Sequence, residues 1–292
     1  MIPLKDNVPT SRFAIVTVLL IAINLGFFVW QLRAPDDRSS SGAMKELGVS
    51  ERQQQTLEYG AIPYRLTHPG RDCAVGAVRS SAGRLQAQVV CEGTADYRQA
   101  RHLEDEGAPF AGLSEAAWWV TILTSMFMHG GIFHLVGNML FLWIFGSTVE
   151  GALGRARFPL FYLLAGVVAA YSQALLSPDA TVPTIGASGA VAGVLGAYLL
   201  LHPRAKVLTM FIIIFFVTVI EIPAVLLLLA WFALQFLPAV GQLASVDIAD
   251  SGSIAYLAHV GGFIFGLVAI KLFMLRRGGA LSPPSRTPLG YG

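Results

Sequence analysis

Apolar residues in this chain gather in long unbroken blocks, not in the one-sided stripes of surface helices. Six blocks read as membrane spans: about 13–32, 131–149, 157–176, 187–202, 223–241 and 253–274. Each suits a hydrocarbon core about 30 Å thick at 1.5 Å of rise per residue, the fourth being short. The first block, Phe13 to Trp30, exceeds a signal-peptide core and lacks a small-x-small cleavage site, so it reads as a retained anchor helix. Val207 to Ile220 is equally apolar but only about fourteen residues long before Glu221 and Pro223 interrupt it. That length predicts an interfacial or re-entrant piece.

The intervening stretches are polar. The first loop, about 33–115, carries ten Lys and Arg and twelve Asp and Glu, and is punctuated by Gly60, Pro63, Pro69 and Gly70. It predicts a small, partly ordered loop layer and not an independent domain, with Ala116 to Thr121 lying on the membrane. The tail from Gly278, with Pro283, Pro284 and Pro288, predicts disorder. The chain thus divides into residues 1–32 (amino terminus and first span), 33–130 (extracytoplasmic or interfacial loop), 131–275 (helical core) and 276–292 (tail). The pattern predicts an all-α membrane protein, a six-helix bundle with a long first extracytoplasmic loop.

Composition agrees. Hydrophobic residues make up 54% of the chain and charged residues 13%, about half the charge of an ordinary soluble domain. No basic patch with interleaved aromatics points to nucleic acid, and a net charge of +2 selects no partner. With six spans, Lys5, Arg12, Arg155, Arg157, Arg204, Lys206, Lys271, Arg276 and Arg277 share one side, which places both termini in the cytoplasm. A seventh span would carry the Lys271–Arg277 cluster outside. The only cysteines, Cys73 and Cys91, share the first loop. A bridge between them requires an oxidising compartment; the alternative is two free thiols.

The candidate chemistry is sparse and therefore conspicuous. Ser188 sits in Gly186-Ala187-Ser188-Gly189-Ala190 and His259 in Ala258-His259-Val260-Gly261-Gly262, each inside an apolar block. Ionisable groups in such places mark functional sites. With six spans, spans two, four and six run in the same direction. Ser188, His259, His134 and Asn138 then share one depth, about 10 Å or less below the outer boundary. Ser188 leads a small-residue seam through Ala192 and Gly196, flanked by Gly189, Gly193 and Ala197. His259 leads another through Gly262 and Gly266. Facing seams would let the two backbones touch and bring hydroxyl and imidazole together as nucleophile and general base. His134 and Asn138, four apart, share a helix face, and an asparagine in an apolar helix needs a partner; they form either a donor pair aimed at an oxyanion or interhelical glue. A metal reading of His129, His134 and His259 lacks a ligand signature, and no Asp lies in a span to support aspartyl chemistry. With no acid at hand, a Ser–His dyad must suffice.

Three blocks together resemble the rhomboid family of intramembrane serine proteases over residues 118–275. They are His129-Gly130-Gly131-Ile132-Phe133-His134-Leu135-Val136-Gly137-Asn138 followed by Phe145-Gly146 and Glu150; Gly186-Ala187-Ser188-Gly189; and Ala258-His259-Val260-Gly261-Gly262 with Gly266. The resemblance implies that Ser188 is the nucleophile and His259 the base, with an oxyanion hole from His134, Asn138 and the Ser188 N–H. It also implies that no cofactor is needed and that the substrates are transmembrane segments of other proteins in a lipid bilayer. By the same resemblance the first loop, 33–130, lies partly in the outer leaflet, and the fifth helix with its following loop, 223–252, forms a lateral gate. The expected location is a bacterial inner membrane with the site opening to the extracytoplasmic side. Two features depart from some members: Ala192 stands one turn after the serine where they carry an aromatic ring on the histidine, and no Trp-Arg pair occurs in the first loop. A catalytically silent, client-binding member of the fold is the main rival. A transporter is not supported, because the chain has no paired broken helices and no ring of acids.

Overall fold

A computed structural model describes residues 2–9, 12–35, 42–80, 83–113, 116–213, 216–244 and 255–275. The chain opens with a strand, β1 (Ile2–Asp6), and the helix α1 (Ile15–Arg33). The segment before the core follows as α2 (Gly42–Glu46), α3 (Glu51–Tyr59), α4 (Pro63–Thr67), β2 (Cys73–Arg79), β3 (Leu85–Cys91), α5 (Ala95–Asp105), β4 (Phe110–Gly112) and α6 (Trp118–Ser125). The core comprises α7 (Ile132–Phe141), a π-helical turn (Leu142–Gly146), α8 (Ser147–Leu153), α9 (Arg157–Leu176), α10 (Ser188–Leu201), β5 (Lys206–Ile213), β6 (Phe216–Pro223), α11 (Ala224–Ala244) and α12 (Tyr256–Leu275).

Helices occupy all six predicted intervals. Four are long and apolar enough to cross a membrane: Ile15–Arg33, Ile132–Leu153, Arg157–Leu176 and Tyr256–Leu275. Two shorter apolar helices, Ser188–Leu201 and Ala224–Val240, accompany them. The chain is a helical membrane protein. Large apolar side chains such as Leu19, Phe133, Leu164, Leu237 and Val268 point outward, as lipid-facing residues do. The predicted disordered tail, with Arg276 and Arg277, lies outside the described residues, as do 245–252 of the expected gate loop.

The expectation of a purely helical chain is corrected by two three-stranded antiparallel sheets, ordered β3-β2-β4 and β1-β5-β6. The apolar stretch expected as an interfacial or re-entrant piece forms two paired antiparallel strands, β5 and β6: Lys206 pairs with Pro223 and Ile213 with Phe216. Its Val, Ile and Thr content favours extended backbone, and β1 adds a third strand from the far end of the chain. In the other sheet, Val75 and Val78 of β2 are buried, and α5 packs across the strands. Cys73 and Cys91 stand directly opposite one another in β2 and β3 and are joined by a disulfide.

Two carboxylates, Glu150 buried and Asp6 partly buried, tie the amino-terminal segment to the core. Glu150 of α8 accepts the backbone N–H of Val16 (3.1 Å) and Thr17 (2.7 Å), and the Thr17 hydroxyl (2.8 Å). It thereby satisfies donors that the first turn of α1 would otherwise leave unmade. Asp6 accepts the hydroxyls of Thr148 and Tyr198, each at 2.9 Å. Gly154, at φ 84°, ends α8 in the left-handed conformation a side chain disfavours. At the centre stands α10, buried from Gly189 to Leu199, where it meets α7, α8, α9, α11 and α12.

Candidate active site

Ser188 opens α10. Its N–H is therefore one of those an α-helix leaves without an intrahelical acceptor, and it sits at the positive end of the helix dipole. The chain reaches it through Gly186, at φ +124°, whose N–H donates to the Ser125 carbonyl at 2.8 Å. A Cβ on Gly186 would lie 2.8 Å from both Cε1 and Nε2 of His134 and 3.6 Å from Ser188 Oγ. Glycine here meets two demands together, a backbone conformation closed to other residues and the close approach of an imidazole.

His259 lies in the first turn of α12 and is 8% exposed. The two predicted seams meet. A Cβ on Gly262 would collide with the Gly189 carbonyl, one on Gly266 with the Gly193 carbonyl, and one on Gly196 with the Phe263 carbonyl. The stripe that makes contact on α10 is Gly189–Gly193 together with Gly196, and the helices touch backbone to backbone. On α9, Gln173 Oε1 accepts the Ala258 N–H at 3.3 Å and helps fix the start of α12. The outcome is a distance of 2.7 Å between His259 Nε2 and Ser188 Oγ.

The other predicted residues fall nearby. His134 lies against Gly186, two residues before the serine. Asn138 follows one turn on in α7, buried, with its amide nitrogen Nδ2 lacking a hydrogen-bond partner within the described protein. A buried donor left without a partner calls for an explanation. His129 stacks edge-on to His134, with ring centroids 5.1 Å apart; it is buried and neither ring nitrogen has a protein partner among the described residues. Burial, reinforced by His134, pushes its pKa down to about 4. Beside Ser188, a cavity of about 30 Å³ is lined by Ser125, Met126, Thr184, Ile185, Gly186 and Ala255, among others. That is enough for about one water molecule.

One residue at the site was not anticipated. Gln235 of α11 brings Oε1 to 2.7 Å from His259 Nδ1, and Trp231, one turn earlier, places its ring 6.1 Å from the imidazole. The signal was available: an amide inside an apolar helix needs a partner, which is the argument that singled out Asn138.

The model of the rhomboid domain matches residues 115–276, more than half of the chain. The chain belongs to the rhomboid family. Similar proteins include rhomboid protease GluP of Bacillus subtilis, 42% identical over 87 residues, which are 30% of this chain and 16% of that protein. Rhomboid protein 1, mitochondrial, of Saccharomyces cerevisiae is 35% identical over 153 residues, 51% of this chain and 40% of that protein. The human presenilin-associated rhomboid-like protein, mitochondrial, is 29% identical over 148 residues, 50% of this chain and 36% of that protein. The chain therefore aligns with less than half the length of each of these relatives. Within the rhomboid domain matched here lie His134, Asn138, Ser188, Gln235 and His259; the disulfide-bonded sheet lies before it.

Proposed function

We propose that this rhomboid is an intramembrane serine endopeptidase that hydrolyses peptide bonds in or beside the transmembrane segments of other membrane proteins. The observation that carries the reading is the 2.7 Å contact between Ser188 Oγ and His259 Nε2, at the amino-terminal mouth of a buried helix. In this reading His259 takes the hydroxyl proton as Oγ attacks the substrate carbonyl. The carbonyl oxygen, now negative, is met by the Ser188 N–H, Asn138 Nδ2 and His134. His259 returns the proton to the departing amine, leaving an acyl-enzyme. Water then attacks the ester, with His259 again as base, and frees Ser188. A buried amide donor with no protein partner among the described residues suits a group whose acceptor exists only during reaction.

The six apolar helices are read as six spans. Both termini are then cytoplasmic, as in a bacterial inner membrane, and the serine opens toward the extracytoplasmic side, where water is available. The Cys73–Cys91 disulfide agrees with an oxidising compartment on that side.

The decisive experiment uses purified protein reconstituted in vesicles with a transmembrane reporter substrate and a serine-directed fluorophosphonate. Wild-type protein should cleave the reporter and label covalently. Ser188→Ala should retain its fold and lose both properties to the detection limit. A folded wild-type protein that binds the reporter yet neither cleaves nor labels would overturn the enzyme in favour of a client-binding rhomboid.

A further inference from the structure

A neutral imidazole can take a proton from Ser188 only if Nε2 holds the lone pair, which requires the ring proton to sit on Nδ1. A ring free to hold the other tautomer would present N–H to the serine and be unable to act as its base. Both ring nitrogens of His259 are engaged here: Nε2 with Ser188 Oγ and Nδ1 with Gln235 Oε1, each at 2.7 Å. An amide oxygen only accepts. The bond at Nδ1 must therefore be N–H donating to Gln235, which leaves Nε2 to accept from the serine hydroxyl.

We propose that Gln235 is a positioning residue that fixes the tautomer and orientation of His259, a neutral counterpart of the acid in a three-member hydrolase triad. The proposal rests on the reading of Ser188 and His259 as nucleophile and base. It answers two features of the chain together. Among the described residues no acid is bonded to His259, and Ala192, one turn after the serine, puts no ring at that turn of α10 to hold the imidazole. Both roles pass to α11. Trp231 and Gln235 are four residues apart on one helix face; the first brings its ring beside the imidazole and the second bonds its edge. An amide suits the place because a carboxylate buried in an apolar helix would carry a large desolvation cost, whereas an amide requires only its hydrogen bonds.

The test uses the full chain in nanodiscs, with the fluorophosphonate labelling rate, reporter cleavage, and ¹⁵N spectra of histidine side chains. In wild-type protein the His259 signals should show the proton on Nδ1. Gln235→Leu, which keeps bulk and removes the acceptor, should lower the labelling rate and kcat about 10²-fold or more with KM unchanged, in the range of other lost histidine orienters. It should also shift the ring toward the Nε2–H form. Gln235→Glu restores an acceptor at the same reach and should recover the rate to within about tenfold of wild type. A folded Gln235→Leu protein with wild-type labelling and unchanged spectra would overturn the proposal. Should that variant not fold, an Nε2–H signal in wild-type protein overturns it and an Nδ1–H signal supports it. Ser188→Ala labelling like wild type would instead defeat the hydrolase reading, an outcome the nitrogen spectra do not share.

Discussion

Helix α12 is held on its two sides in opposite ways. Toward α10, glycines stand against carbonyls: Gly262 on Gly189, Gly266 on Gly193 and Gly196 on Phe263. Toward α11, rings stand between the backbones: Phe232 stacks on Phe263 at 4.6 Å, and Trp231 lies 6.1 Å from both Phe263 and His259. The buried α10 also contrasts with α11, which leaves Leu226, Leu229, Leu234 and Leu237 outward. Backbone contact admits no rotamer adjustment, whereas ring contact does. Ser188 and His259 therefore ride on a pair of helices with little freedom to shift. Gln235, bonded to Nδ1 of His259, arrives on a helix held by side chains.

The largest effect should come from breaking the glycine side. In Gly262→Leu the collision begins at Cβ, against a backbone carbonyl, so no side-chain rotation relieves it. The expected cost exceeds about 5 kcal/mol, beyond the usual range for single substitutions. The checks are yield of monodisperse protein and thermal unfolding in detergent. Gly137→Ala in α7 is the control: nothing lies within 4 Å of its added Cβ, and the melting temperature should hold or rise.

Asn138→Ala tests the same side without touching the seam. If the amide serves as interhelical glue, stability falls. Its Nδ2 has no protein partner among the described residues, so the expectation is the reverse pattern: stability within about 1 kcal/mol of wild type and a rate lower by one to three orders of magnitude. Parallel melts and single-turnover cleavage separate the two outcomes.

His129 adds a pH dependence to this side of the site. Burial holds its folded pKa near 4, below the unfolded value of 6.5. The unfolded chain therefore binds the extra proton first. Stability should be full above about pH 6.5 and decline as pH falls toward 4, by about 3 kcal/mol from this residue. His129→Gln should flatten that slope in melts recorded from pH 7 to pH 4. A slope identical to wild type would remove the assignment.

Much of this contrast was legible beforehand on one side only. The blocks of apolar residues marked the six helices, because a membrane span must satisfy its own backbone and so declares its length. The small-residue seams and the isolated Ser188 and His259 were visible for a related reason: local spacing fixes which residues share a helix face. What depended on distant partners was not legible. The strands β5 and β6 take β1 from about 200 residues away, and no local period records that pairing. The sheet β3-β2-β4 was no more legible; β2 is buried on both faces and lacks the alternation of a surface strand. Gln235 carries no charge to mark it as a partner for His259, and α11 reads as plain apolar helix around it.

The smallest expected effect lies on the ring side. Phe232 is partly buried, and its stacking on Phe263 gives Phe232→Ala an expected cost of about 2 kcal/mol, from lost burial and lost aromatic pairing. Ring contacts can relax, so the fold should persist and α10 and α12 should stay together. Activity should nevertheless fall, because Gln235 lies three residues further along the same helix and its bond to Nδ1 tolerates little displacement. The distinguishing result is a lower kcat at unchanged KM in a protein whose melting temperature drops by only a few degrees. Equal losses of stability and activity here and at Gly262 would erase the distinction between the two sides of α12.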